Sequence, residues 1–110
     1  MKKPLDLRFI GLASSAAVEA AVLARVEQIE RLCADITGWR VAIEQEHRHQ
    51  HQGREFSVRL DLTLPGQELA LTHFRHEDVY VALRDAFDAC KRRIEEVVRI
   101  RRGEVKQHAQ

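Results

Sequence analysis

A chain of 110 residues, 45% hydrophobic and with two cysteines, is long enough for one packed core without disulfides or metal and too short for two ordinary domains. Its 18 basic and 17 acidic residues leave a net charge of +1, so overall charge draws no partner and any electrostatic signal lies in where the charges sit. No segment approaches the roughly 20 consecutive apolar residues of a membrane span and no leader pattern precedes Leu5, which gives no membrane partner and a cytoplasmic location as expectations.

Leu5, Leu7 and Phe9 alternate with Asp6 and Arg8, the period of a strand with one buried face, and Gly11 breaks the pattern. Ser14 or Ser15 can cap a helix whose Val18, Val22, Val26, Ile29 and Cys33 recur every three or four residues, with Glu27 and Arg31 opposite. This helix is expected to stop near Gly38, after which Trp39, Val41 and Ile43 alternate with Arg40, Ala42 and Glu44 as a second strand. A polar run from Glu46 to Gly53 reads as a hairpin loop. Phe56, Val58, Leu60, Leu62 and Leu64 then give the cleanest strand signal in the chain and an expected central strand. Pro65-Gly66 turns into a fourth strand, Glu68 to about Phe74, making an antiparallel hairpin.

The last helix is predicted to begin near His76 or Glu77. Val79, Leu83, Ala86, Cys90, Ile94 and Val97 fall within a stripe roughly 80° wide, so that face packs on the sheet while Arg84, Asp88, Arg92, Glu95, Arg99 and Arg102 face outward. The order predicts an α+β two-layer sandwich, β-α-β-β-β-α, with a four-stranded sheet and two helices packed on one face. Residues 1–102 are expected to form one domain and residues 103–110 a flexible tail. Cys33 and Cys90 both point at the core and read as small buried hydrophobes of a reducing compartment.

Charge accumulates at the carboxyl end. Met1 to Glu46 holds six basic and seven acidic residues, whereas Lys91 to Lys106 holds seven basic and three acidic. Arg92, Arg99 and Arg102 lie within roughly 80° of one another, with Arg84 beside them and Lys91 and Arg93 on the flanks. Two readings are open. Several cations on one surface suit a polyanion such as RNA, because each neutralised phosphate releases counterions. Alternatively the helix is a solvated face laced by ion pairs, Asp88 with Arg92 and Glu95 with Arg99 in the favoured acid-before-base order. Tyr80, on the border of the apolar stripe, either packs with a wet hydroxyl or stacks on an exposed base. Asp78 is a first-turn carboxylate favoured by the helix dipole.

His47, His49 and His51 alternate in the polar run. They read as a solvated loop, as an RNA contact aided by Arg48 and Arg54, or as a zinc or nickel site lacking a fixed third or fourth ligand. No nucleophile elbow, phosphate-cradling glycine loop or zinc signature is present, so neither catalysis on a small-molecule substrate nor a cofactor is expected.

The strand order together with His76-Glu77-Asp78-Val79-Tyr80-Val81-Ala82-Leu83, the following Asp88, Arg92 and Ile94, and Arg25-x-x-x-Ile29-Glu30 in the first helix resembles the ribosome hibernation promoting factor and ribosome-associated inhibitor family, also called sigma-54 modulation proteins. The likeness runs from Leu5 to about Arg102. It implies a bacterial stress or stationary-phase factor that binds the small ribosomal subunit and its rRNA in the channel used by messenger and transfer RNA, acting by occupancy rather than catalysis. Long members carry a carboxyl-terminal dimerisation domain, and this chain resembles a short member. The resemblance implies an RNA-binding set of Arg25, Arg31, Tyr80, Arg84, Lys91, Arg92, Arg93, Arg99 and Arg102. Two places differ from short members: Glu95-Glu96-Val97-Val98 interrupts the basic run, and Gln28 stands at a usually basic position. These differences motivate the alternative of a protein-interaction module of the same fold with weak RNA affinity. An exposed sheet edge leaves self-association open without predicting it.

Overall fold

The computed structural model describes residues 5–45 and 55–103. Within them the chain forms β1 (Leu5–Ile10), α1 (Ala16–Leu32), β2 (Gly38–Gln45), β3 (Phe56–Leu64), β4 (Gln67–His76) and α2 (Val79–Arg101). The polar run with His47, His49 and His51, and residues 104–110 of the predicted tail, lie outside the described residues.

The sheet has the order β1-β2-β3-β4. β1 and β2 run parallel, with Leu5 opposite Trp39 and Phe9 opposite Ile43, because α1 supplies the crossover that a parallel pair requires. The remaining pairs are antiparallel, placing Val41 opposite Leu60 and Leu62 opposite Leu69. Trp39, Val41, Ile43, Val58, Leu60, Leu62, Leu64, Leu69 and Leu71 bury one face against the helices, while Arg40, Arg59 and Ala70 stay exposed on the other. This is the α+β two-layer arrangement that the alternation implies, and β3 is an interior strand as expected.

The helix boundaries shift from their predicted places for local reasons. Ser15 is the cap of α1, its hydroxyl accepting from the Val18 amide at 3.2 Å, which resolves the choice between the two serines. The helix ends at Leu32 rather than near Gly38. Cys33 turns to an extended conformation, and the following segment drops Ile36 into the core at 0% exposure. At the other end, α2 begins at Val79, not at His76 or Glu77. His76 is still paired with Phe56 as the last residue of β4, and its Nδ1 accepts from the Asp78 amide at 2.9 Å. Asp78 then caps α2 by accepting from the Tyr80 amide at 2.9 Å.

β4 runs two residues beyond the predicted Phe74. Between Val58 and Leu60 the register shifts, and His73 adopts a left-handed φ of 74°. This bulge returns Phe74 to the inner face opposite Val58, after Leu69 and Leu71 have already pointed inward.

The apolar stripe of α2 is wider than predicted. Ala82 and Phe87 are buried as well as Leu83, Ala86, Cys90, Ile94 and Val97, whereas Val79 is only partly buried. The buried sector spans about 140° because α2 packs on both the sheet and α1. Phe87 meets Trp39 with ring centroids 6.1 Å apart, and the Trp39 indole donates to Glu30 Oε2 at 3.1 Å, tying α1 to β2.

Both cysteines are free and buried. Burial pushes the Cys90 thiol from its ordinary 9.0 up to about 12, outweighing the opposing pull of Arg93. A thiol held protonated in the fold favours folding fully below pH 9; that contribution is lost as pH rises towards about 12. Iodoacetamide at pH 8 is therefore expected to leave the native protein unmodified, with both thiols alkylated in guanidinium, as read by intact mass. Rapid native alkylation would contradict the buried placement.

Candidate nucleic-acid interface

Helices α1 and α2 pack side by side on the sheet and leave a groove between them of about 390 Å³. Arg25, Gln28, Arg31 and Leu32 line it from α1, and Phe87, Asp88 and Lys91 from α2. Their spacing explains the convergence. Phe87 and Lys91 are four residues apart and fall on the α1-facing flank of α2, as do Gln28 and Leu32 on the facing flank of α1. The groove therefore has an apolar floor at Ile29 and Phe87, with the exposed Leu32 at its rim, beneath three cations and one carboxylate.

That carboxylate is engaged differently from the sequence expectation. Asp88 pairs across the helices with Arg25 at 3.6 Å, not along α2 with Arg92. The expected bond from Glu95 to Arg99 is also not formed. Among the described residues, Arg31, Lys91, Arg92, Arg93 and Arg99 take part in no ion pair, so the picture of a helix laced by i,i+4 bridges is corrected. Arg84 does pair, with its neighbour Asp85 at 3.2 Å, but both side chains are about half exposed and such a contact exchanges readily for another anion.

Arg84, Arg92, Arg99 and Arg102 follow one exposed line on α2 about 27 Å long. Lys91 joins this line to the groove. Tyr80, 48% exposed, lies on the same flank near the amino end of the helix. Arg93 falls about 160° around the helix from Lys91 and so is not brought to the groove, although it is exposed. Of the nine residues singled out, Arg25, Arg31 and Lys91 converge in the groove and Arg84, Arg92, Arg99 and Arg102 extend it as a stripe. Sequence reasoning missed Phe87 as part of the floor, and Asp88 as the partner of Arg25 across the helices.

Arg101, counted among the basic residues of the carboxyl end, has a structural task instead. Its guanidinium donates to the Pro65 carbonyl at 2.9 Å and to Gln67 Oε1 at 3.3 Å and reaches Asp35 at 3.5 Å, pinning the end of α2 to the β3–β4 turn. On the opposite sheet face the cations are matched: Arg8 with Asp6, Arg59 with Asp61 and Arg40 with Glu68. Their aspartates raise the Arg8 and Arg59 guanidinium pKa values, mainly through side-chain hydrogen bonds. Among the described residues, the helical layer thus carries several cations outside any ion pair, with Glu95 and Glu96 exposed and outside any ion pair among them. Among the described residues no cluster of three or more histidine, cysteine or acidic side chains could hold a metal, and no helix is long and apolar enough to cross a membrane.

The fold is similar to a ribosomal subunit interface protein from Coxiella burnetii, with a TM-score of 0.72 and 12% identity over 86% of this chain and 96% of that one. It is also similar to the Protein Y N-terminal domain from Thermus thermophilus, with a TM-score of 0.65 and 15% identity over 84% and 94%. No curated protein matches the sequence. Residues 5–102, from the first residue of β1 to the cap of α2, match the family described as sigma 54 modulation protein / S30EA ribosomal protein, and the chain belongs to that family.

Proposed function

We propose that this protein is a ribosome-associated translation inhibitor of the hibernation type, which binds rRNA of the small ribosomal subunit in the channel for messenger and transfer RNA under stress or in stationary phase. The observation that carries the reading is the set of cations on α1 and α2, Arg31, Lys91, Arg92 and Arg99, that take part in no ion pair among the described residues, in and beside the groove. Family membership supports the ribosome as the source of the polyanion. The matched residues 5–102 act as one ribosome-binding domain in the cytoplasm.

The mechanism is occupancy. Phosphates settle along the arginine stripe, releasing counterions, while the sheet holds the two helices at fixed separation. Arg25 faces Asp88 across the groove at 3.6 Å, an exposed pair that, like Arg84 with Asp85, exchanges for a phosphate, whereas Tyr80 offers a ring for an unstacked base. No step requires a nucleophile, metal or cofactor. The unpaired cations also favour an anionic partner over the alternative of a protein-interaction module with weak RNA affinity, for which matched surface charges would suffice.

The occupancy reading is tested by adding the purified chain to ribosomes translating a defined message. Inhibition is expected to fall as initiator tRNA and messenger RNA are raised, because they compete for one site. Inhibition that ignores both competitors would contradict placement in the channel.

A further inference from the structure

β1 is an edge strand, and among the described residues only β2 pairs with it, so a row of backbone donors and acceptors faces away from the sheet. Its side chains follow a pattern with its own symmetry. About Leu7 as centre, Leu5 mirrors Phe9, both apolar and partly buried, and Asp6 mirrors Arg8, opposite in charge and exposed. We propose that the open edge of β1 is a self-association site, on which β1 of a second copy of this chain pairs antiparallel about a two-fold axis through Leu7.

The register is fixed by the residues. With the axis at Leu7, each Asp6 lies opposite Arg8 of the other copy on the outer face, extending the Asp6–Arg8 contact of 3.1 Å within the strand into a ring of four alternating charges. On the inner face Leu5 lies opposite Phe9, and Leu7 opposite its own symmetry mate, continuing the partly buried apolar margin of the core. Moving the axis to Asp6 sets aspartate against aspartate, and moving it to Arg8 sets arginine against arginine. A slip of one residue sets the apolar side chains against the charged face. Only one in-phase pairing satisfies both faces.

The contact is bounded on both sides. Pro4, just ahead of the strand, has no amide hydrogen to donate, and Gly11 leaves the strand direction with a φ of 77°. About five residues per copy can pair, so the dimer is weak, with a dissociation constant on the order of 100 µM. α2 packs over β3 and β4, so the pairing leaves the arginine stripe uncovered, and the inference stands independently of the proposed function.

Sedimentation equilibrium of the full chain tests this, with concentration raised through about 10 µM to 1 mM. Wild type is expected to move from monomer to dimer. Asp6→Arg and Arg8→Asp each set like charges against each other and are expected to weaken the dimer at least about tenfold. An equimolar mixture of the two restores it, because each variant strand then faces its complement. The double swap, Asp6→Arg with Arg8→Asp, dimerises like wild type, and unchanged thermal unfolding of the single variants shows that the fold is kept. A wild type monomeric at about 1 mM, or a mixture of folded variants that stays monomeric, overturns the proposal.

Discussion

Replacing Arg92 and Arg99 together with glutamate is expected to weaken binding to the small ribosomal subunit by about 100-fold at moderate salt, while the folded state is retained. Both side chains are exposed on α2, and neither takes part in an ion pair among the described residues. Their replacement therefore breaks no internal ion pair, and helix propensity favours glutamate almost as much as arginine. Each reversal takes a cation away from a phosphate and puts a repelling charge in its place. The dependence of log K on log salt should flatten by about 0.7–0.9 for each phosphate no longer neutralised. The matched cation Arg59, on the opposite sheet face and 2.9 Å from Asp61, is the control, and Arg59→Ala should leave binding close to wild type. Equal losses of affinity for Arg59→Ala and the double reversal would show that the helical layer is not the interface.

The second large effect concerns stability. Phe87→Ala is expected to destabilise the fold by about 3–5 kcal/mol, lowering the melting temperature by about 15–30 °C in a domain of this size. Phe87 is 2% exposed and Trp39 1%, and their rings meet at an interplanar angle of 34°, so α2 and β2 are joined through this pair. Truncation leaves a cavity in a helix–sheet layer already held on its other side by α1, which cannot collapse far. Phe87→Leu keeps most of the volume and should cost about 1–2 kcal/mol. Thermal unfolding by circular dichroism separates the two. A loss below about 1 kcal/mol for Phe87→Ala would mean that the contact with Trp39 does not hold the layers together.

Much of this architecture is legible in the sequence because the sheet is covered on one face only. Alternation at Leu5 to Phe9, Trp39 to Ile43 and Phe56 to Leu64 states which side of each strand is buried, and all three strands form with those faces inward or at the margin of the core. Legibility fails where a local bond competes with periodicity. His76 and Glu77 suit a helix start by charge, yet the Phe56–His76 pairing and the Asp78 cap delay α2 to Val79. The bulge at His73 likewise hides the end of β4, since one extra residue breaks a count by twos.

The candidate interface is legible in the sequence as composition but not as pairing. A helical projection places Arg84, Arg92, Arg99 and Arg102 on one line, and the structure keeps them exposed there. It cannot show that Asp88 reaches across to Arg25, or that Arg101 is spent on the β3–β4 turn, because both partners lie far away in the chain. Those two contacts change the meaning of the mixed charges on α2. The acids interleaved with the stripe leave Arg92 and Arg99 free for an external anion.

Co-sedimentation of the purified chain with isolated small ribosomal subunits, repeated across a salt series, reads the proposed contact with rRNA. Stoichiometric binding to the small subunit that weakens steeply as salt rises is the predicted result. Binding that is absent at low salt, or that is equal for the large subunit and indifferent to salt, would contradict it.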